Sequence, residues 1–274
     1  MKRAAAGTYP TYKQAAKRQQ KKASGGKPRA GYTSVARTRG AAVTGEMKYF
    51  DSALTSTNLA VVTTTWVAGT MKNPSTTINL GVAAVATPQC LFAPTVGSAL
   101  NQRIGRSVLV RKLKIRGTLE QGSRSGAIGA GTADLGTKVR LLLVQDMQTN
   151  AAQMTGAALL NDATDATTTI DSFQNPNNFG RFRVLKDKVL NFSNPNFTVG
   201  ETAAGSYNSY QQGMVKFFKF NVNFKIPVKV QFNATNGGTV ADIVDNSFHI
   251  VAGVVSADNT NIALSYYSRV AYKE

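Results

Sequence analysis

From position 45 to the carboxyl terminus, apolar and polar residues alternate in short runs, and no stretch sustains the 3.6-residue period of a long helix. Runs rich in Val, Ile, Thr, Phe and Tyr, separated by Gly, Ser, Asn, Thr and Pro, predict eight strands at 46–53, 58–68, 106–119, 137–146, 180–192, 215–232, 246–256 and 262–272. In the clearest of them Phe218, Phe220, Val222, Phe224, Ile226, Val228, Val230 and Phe232 take the even positions, while Lys219, Asn221, Asn223, Lys225, Lys229 and Gln231 face the other way. Such a strand buries one face and wets the other. It is long for a single strand, and Pro227 removes a ladder donor, so a bend or an edge position is expected there. Asn236-Gly237-Gly238 marks a turn, and residues 258–261 mark a hairpin before the last strand.

These strands predict an all-β fold, an eight-stranded antiparallel jelly roll built as a two-sheet sandwich. The segments 71–101, 121–136, 147–178 and 194–213 are long for loops of an isolated domain, and they suit a module that uses them against neighbouring subunits. No internal repeat is evident.

Charge divides the chain. The 274 residues carry 32 Lys+Arg against 14 Asp+Glu, a formal +18, which calls for an anionic partner or a repelling surface. Residues 1–40 hold eleven of the cations and no acid, which leaves 21 basic and 14 acidic side chains, a net +7, for the rest. Val35 is the sole branched aliphatic in that stretch, so it cannot bury enough surface to offset its ordering entropy. The expectation is a disordered basic amino-terminal arm at 1–44 and a folded domain at 45–274. Within the arm, residues 13–22 have good helix formers and become helical once phosphates neutralise their repulsion. The apolar runs, such as 81–86, fall far short of the roughly 18–20 residues that a bilayer helix needs, so no membrane span is expected. The start lacks the apolar segment of a secretory signal, an expectation of synthesis in the cytosol.

Little in the chain favours catalysis or metal binding. Cys90 is the single cysteine and His249 the single histidine, so neither an intrachain disulfide nor a Cys/His zinc cluster is available. A Ser-His-Asp triad would have to use His249, which sits in a strand-like run without a nucleophile elbow. The glycine-rich run at 126–138 lacks the Gly-Lys-Ser/Thr ending of a phosphate loop and reads as an interstrand loop. Asp242, Asp245 and Asp258 read as turn and capping residues before they read as calcium ligands. Neither an enzyme activity nor a cofactor is expected.

The order of several segments carries a resemblance. GEMKYFD at 45–51, NQRIGRSVLVRKLKIRG at 101–117, VRLLLVQDMQ at 139–148, NPNNFGRFRVLKDK at 175–188, DIVDNSFHIV at 242–251 and LSYYSRVAY at 264–272 together resemble the capsid proteins of circovirus-like viruses with circular single-stranded DNA genomes. The resemblance covers most of 45–274 and lies in the order of the segments, none of which is diagnostic alone. It implies a viral jelly roll with an inward-pointing basic arm, a homo-oligomeric icosahedral shell of about sixty copies in its simplest form, and a place in the virion and, during assembly, the host nucleus. This arm mixes Lys with Gln and Ala, where many relatives carry denser arginine runs. Satellite RNA-virus coats share the fold and the arm, so the residues leave DNA and RNA both open.

The candidate nucleic-acid-binding residues of the arm are Lys2, Arg3, Lys13, Lys17, Arg18, Lys21, Lys22, Lys27, Arg29, Arg37 and Arg39. About sixty such arms bring roughly 660 positive charges together, a scale suited to a small genome. Tyr9, Tyr12 and Tyr32 lie among them for stacking on unpaired bases. Lys2-Arg3 followed by the 17–22 cluster also reads as a bipartite signal for a host nuclear-import receptor. In the body, Lys112, Lys114 and Arg116 share one face of a strand, and Arg181 with Arg183 share another. These stripes either line a shell interior or form ordinary solvated faces paired with acids of an adjoining subunit. Two rivals remain at this level: a non-assembling single-stranded nucleic-acid-binding protein, and a jelly-roll lectin or cupin-like enzyme.

Overall fold

The computed structural model describes residues 46–59, 67–68, 73–74, 78–80, 87–122, 124–128, 137–161, 170–192, 196–203, 206–211, 213–256 and 262–274. The eleven cations of the arm, its three tyrosines and the expected hairpin turn at 258–261 lie outside them. Residues from Glu46 onward form one compact unit, and the described part is nearly all β.

The main strands are β1 (Lys48–Asn58), β4 (Ser107–Gln121), β6 (Thr137–Asp146), β9 (Phe182–Phe192), β12 (Met214–Phe232), β14 (Ser247–Ser256) and β15 (Ile262–Lys273). Shorter pieces are β2 (Val67–Ala68), β3 (Ile78–Asn79), β5 (Arg124–Ile128), β7 (Leu160–Asn161), β8 (Phe173–Gln174), β10 (Asn196–Ala203), β11 (Ser206–Gln211) and β13 (Ile243–Asp245). Six of these seven strands begin and end close to their predicted positions, while β1 runs five residues past its predicted end at 53, to Asn58. Of the predicted 58–68 strand, only Leu59 and β2 lie among the described residues outside β1.

Two sheets face each other. The larger is ordered β13-β12-β4-β15-β1-β3 and the smaller β2-β14-β6-β9. All the pairings between these strands are antiparallel: β1 with β15, β2 with β14, β4 with β12 and β6 with β9, then β15 with β4 and β14 with β6. Taken along the chain, β1, β2, β4, β6, β9, β12, β14 and β15 therefore pair first with last, second with seventh, third with sixth and fourth with fifth. That is the pairing of one long hairpin, and its successive rungs fall alternately in the two sheets.

The core between the sheets follows from period-2 alternation. Leu113, Ile115 and Leu119 of β4, Phe218, Phe220 and Phe232 of β12, and Leu264, Tyr266 and Val270 of β15 point in from the large sheet. Val139, Leu141 and Leu143 of β6 with Phe248, Ile250, Ala252 and Val254 of β14 meet them from the small one. Residues 88–95, expected within a long loop, instead run through the sandwich. Phe92 packs edge-on against Phe50 at 5.5 Å and Tyr272 at 5.1 Å between ring centroids. Leu91 N–H donates to the Phe248 carbonyl at 2.8 Å. The run from Cys90 to Ala93 is apolar and fully buried, which explains why it leaves the surface.

The other long segments also depart from structureless loops. The 121–136 and 194–213 segments contribute β5, β10 and β11, which form a three-stranded sheet of order β10-β11-β5. The glycine-rich run therefore begins in β5 and ends in β6, and its middle at 129–136 lies outside the described residues. The 147–178 segment holds a one-turn helix, α1 (Gly156–Leu159), capped by the Thr155 hydroxyl, together with the β7-β8 pair. Met154, Leu159, Leu160 and Ile170 cover the outer face of the small sheet over Leu142, Val144, Phe182 and Val251. This cover accounts for the unbroken apolar stretch of β6, which has core on both sides.

In β12 the expected irregularity falls where Pro227 stands. Between Asn223↔Lys112 and Val228↔Val110 the strand places four residues against the single Arg111 of β4. The extra residues turn Ile226 outward, 84% exposed, so the expectation that every even position is buried fails there. Beyond the bulge the even positions of β12 are buried again at Val230 and Phe232, while on β4 the buried face moves from Val108 and Val110 to Leu113 and Ile115, a change that alternation alone does not register.

Candidate nucleic-acid interface

Strand β4 lies between β12 and β15 in the large sheet, so its outward side chains have neighbours on both sides. Because Leu113, Ile115 and Leu119 enter the core, Lys112, Lys114 and Arg116 must point to the opposite face. Lys114 and Arg116 are exposed and Lys112 is half-buried.

The register places further cations beside them. Lys114 lies opposite Asn221 on β12 and Arg269 on β15, and Arg269 lies opposite Asp51 on β1. One step along, Arg116 lies between Lys219 and Tyr267, and Tyr267 lies opposite Ala53. Directly opposed residues have Cβ atoms about 4.5–5.5 Å apart, within range of mutual repulsion. The Lys114 ammonium is accordingly held below its ordinary pKa, first by Lys112, then by partial desolvation and by Arg116, Lys219 and Arg269. In Lys114's own row the one carboxylate is Asp51, and Arg269 engages it with two hydrogen bonds, Nε to Oδ1 at 2.7 Å and Nη2 to Oδ2 at 2.6 Å. The same guanidinium lies over the Tyr49 ring, 5.8 Å from its centroid.

The result is an open depression of about 480 Å³ lined by Lys114, Arg116, Tyr267, Arg269, Asp51 and Leu80. Its charge is suited to holding phosphate oxygens, and its flat sheet floor has no groove-reading helix. Sequence reasoning found Lys112, Lys114 and Arg116 from their spacing in one strand. It missed Lys219, Arg269 and Tyr267, which come from strands about a hundred and a hundred and fifty residues later and join only through register.

The second stripe divides. Arg181 donates twice to Asp146, at 3.0 and 2.9 Å, and the pair raises its pKa, so it serves as a structural partner for a fully buried carboxylate. Arg183 stays exposed on the strand. His249 is fully buried on β14, with Nε2 at 2.8 Å from the Ser247 hydroxyl and Nδ1 at 3.2 Å from Asn73 Nδ2. Thr149 donates in turn to Ser247 at 2.7 Å, so Ser247 and His249 belong to a closed internal network. Asp242 takes hydrogen bonds from Thr235, Gly238 and Thr239, which fits the turn role expected of it.

No protein-family model matches the chain, and no curated protein is significantly similar to it.

Proposed function

We propose that this chain is the coat protein of a circovirus-like virus, a jelly roll that self-assembles into a closed shell of about sixty copies and packages a single-stranded genome, DNA before RNA. The observation that carries the fold part is the nested pairing of eight strands, first with last through fourth with fifth, divided between two sheets. A long hairpin rolled up so that its rungs alternate between two layers is a jelly roll, and this fold builds small viral shells.

Two further observations support the genome-binding part. The first 40 residues carry eleven cations and no acid. The large sheet separately presents Lys112, Lys114, Arg116 and Lys219 beside Arg269, a cluster that repels itself in the absence of an anion. In this reading genome phosphates relieve the repulsion between arms and so favour shell contacts, which couples packaging to assembly. No bond is made or broken, and neither metal nor cofactor takes part. The domain at 45–274 forms the shell, while the arm at 1–44 binds the genome and is first read by a nuclear-import receptor.

Negative-stain electron microscopy of the purified full-length protein at moderate salt tests the assembly. Uniform closed shells are expected; particles that stay small across salt and pH would shift the reading to a non-assembling nucleic-acid-binding protein. A variant lacking residues 2–40 tests the arm. It is expected to fold and to lose most nucleic acid, read as the 260/280 nm absorbance ratio, and full retention would refute the arm's role.

A further inference from the structure

Tyr267 stands in the middle of a sheet, yet it is 63% exposed. Exposed aromatic rings are costly in water unless something covers them, and a rim position does not explain this one. Its strand neighbours show how the space around it is kept. On the β1 side the residue opposite is Ala53, and two residues back along β15 is Ser265, both too small to cover the ring. On the β4 side stands Arg116, and two residues ahead stands Arg269, itself tied to Asp51 and lying over Tyr49. Among the described residues no other ring stacks on Tyr267. Phe217 lies one rung away on β12, opposite Thr118, and is 77% exposed.

This combination differs from a plain basic patch. Cations alone suit any polyanion, whether duplex, single strand or acidic peptide. An uncovered ring among them adds a surface that only a flat, unpaired partner can use, because bases in a duplex are already stacked on each other. The depression has a volume of about 480 Å³, within the roughly 300–1,000 Å³ of small-ligand sites, so a nucleotide fits.

We propose that the outer face of the large sheet is a single-strand-selective nucleic-acid site, in which an unpaired base stacks on Tyr267 while Lys114, Arg116 and Lys219 hold the flanking phosphates. The Arg269–Asp51 pair positions the Arg269 guanidinium at the edge of that base, and Phe217 offers a second ring to the next one. The site is separate from the arm, and the inference rests on the proposed genome-binding role.

The test uses the full-length protein and a short oligothymidylate carrying one 5-iododeoxyuridine, which crosslinks to a stacked aromatic ring on irradiation. Mass spectrometry of the digest is expected to find the crosslink on the peptide that contains Tyr267, and pairing the oligonucleotide with its complement is expected to abolish it. Tyr267→Ala is expected to weaken single-strand binding by about 5- to 100-fold at salt high enough to suppress the arm, whereas Tyr267→Phe, which keeps the ring face, retains it. Lys114→Gln is expected to lower the salt slope by about one and to leave the preference for single strands intact.

Crosslinks confined to residues 1–45, with Tyr267→Ala binding as the parent does, would overturn this site and leave the arm's role standing. Equal loss in Tyr267→Phe would mean that the hydroxyl is what matters, and the stacking claim would fall. Displacement of the oligonucleotide by polyglutamate at equal charge would make the face a docking surface for acidic protein instead. Absence of any oligonucleotide binding by the intact chain would remove the genome-binding reading itself, a result distinct from the other three.

Discussion

Single residues decide two properties of this molecule that its pattern of apolar positions does not reveal. Arg103 is 1% exposed and spends its guanidinium on three carbonyls, those of Pro94 at 3.1 Å, Gly105 at 2.7 Å and Thr235 at 3.1 Å. Its planar face lies 4.3 Å from the centroid of Phe232. A lysine keeps the charge but not the fork, so Arg103→Lys is expected to cost about 2–4 kcal/mol, read from urea unfolding. His249 decides the acid side. Burial lowers its pKa from 6.5 to about 4, with Asp146 opposing and Arg181 adding to the shift, so the fold favours the neutral ring. A group depressed in this way contributes its stability above pH 6.5 and loses it as pH falls toward 4. The loss amounts to about 3 kcal/mol at most. Urea midpoints of the parent and of His249→Gln across pH 4–7.5 should therefore converge as pH falls, and a constant difference would show that the ring's charge is irrelevant.

At the scale of elements, the large sheet depends on one close approach. Gly117 lies opposite Phe218, and a Cβ placed there would meet the Phe218 ring and the Ser265 carbonyl oxygen, each at 2.5 Å. The ring fills the space a side chain would need, between strands that flank β4 on both sides. Gly117→Ala should cost about 1–3 kcal/mol by overpacking, measured as a lower urea midpoint, and a change below 0.5 kcal/mol would mean that the sheet yields easily. The same strand carries the opposite kind of strain on its outer face. Lys114 is repelled by four neighbouring cations, so Lys114→Gln is expected to raise the melting temperature of the unassembled protein at low salt. The gain should vanish as salt is added, and an unchanged gain at high salt would point to packing instead of charge. A residue that destabilises the free subunit and helps hold an anion is the trade-off expected where charge serves binding.

For the whole molecule, the strand alternation determined much by itself. The boundaries of β4, β6, β9, β12, β14 and β15 were legible because one wet and one buried face impose period 2, and because turn residues interrupt it. The first 40 residues are a charge run by composition alone, eleven cations and no acid, and they lie outside the described residues. Lys112, Lys114 and Arg116 were legible as an outward stripe, since spacing within a strand fixes which face a side chain takes. Register was not legible: whether Lys114 meets Arg269, and Arg116 meets Tyr267, depends on which strands pair, and those contacts join residues about 150 apart in the chain. Nor did local pattern reveal that 88–95 crosses the core or that Met154, Leu159, Leu160 and Ile170 cover the small sheet, because an apolar run without a period can lie in a loop, a strand or a plug. Local order follows from which side of each strand avoids water. The pairing of strands, the cavity above Tyr267 and the partners of the buried Arg103 and His249 follow from how two sheets close around one core, a condition that only the folded chain as a whole can meet.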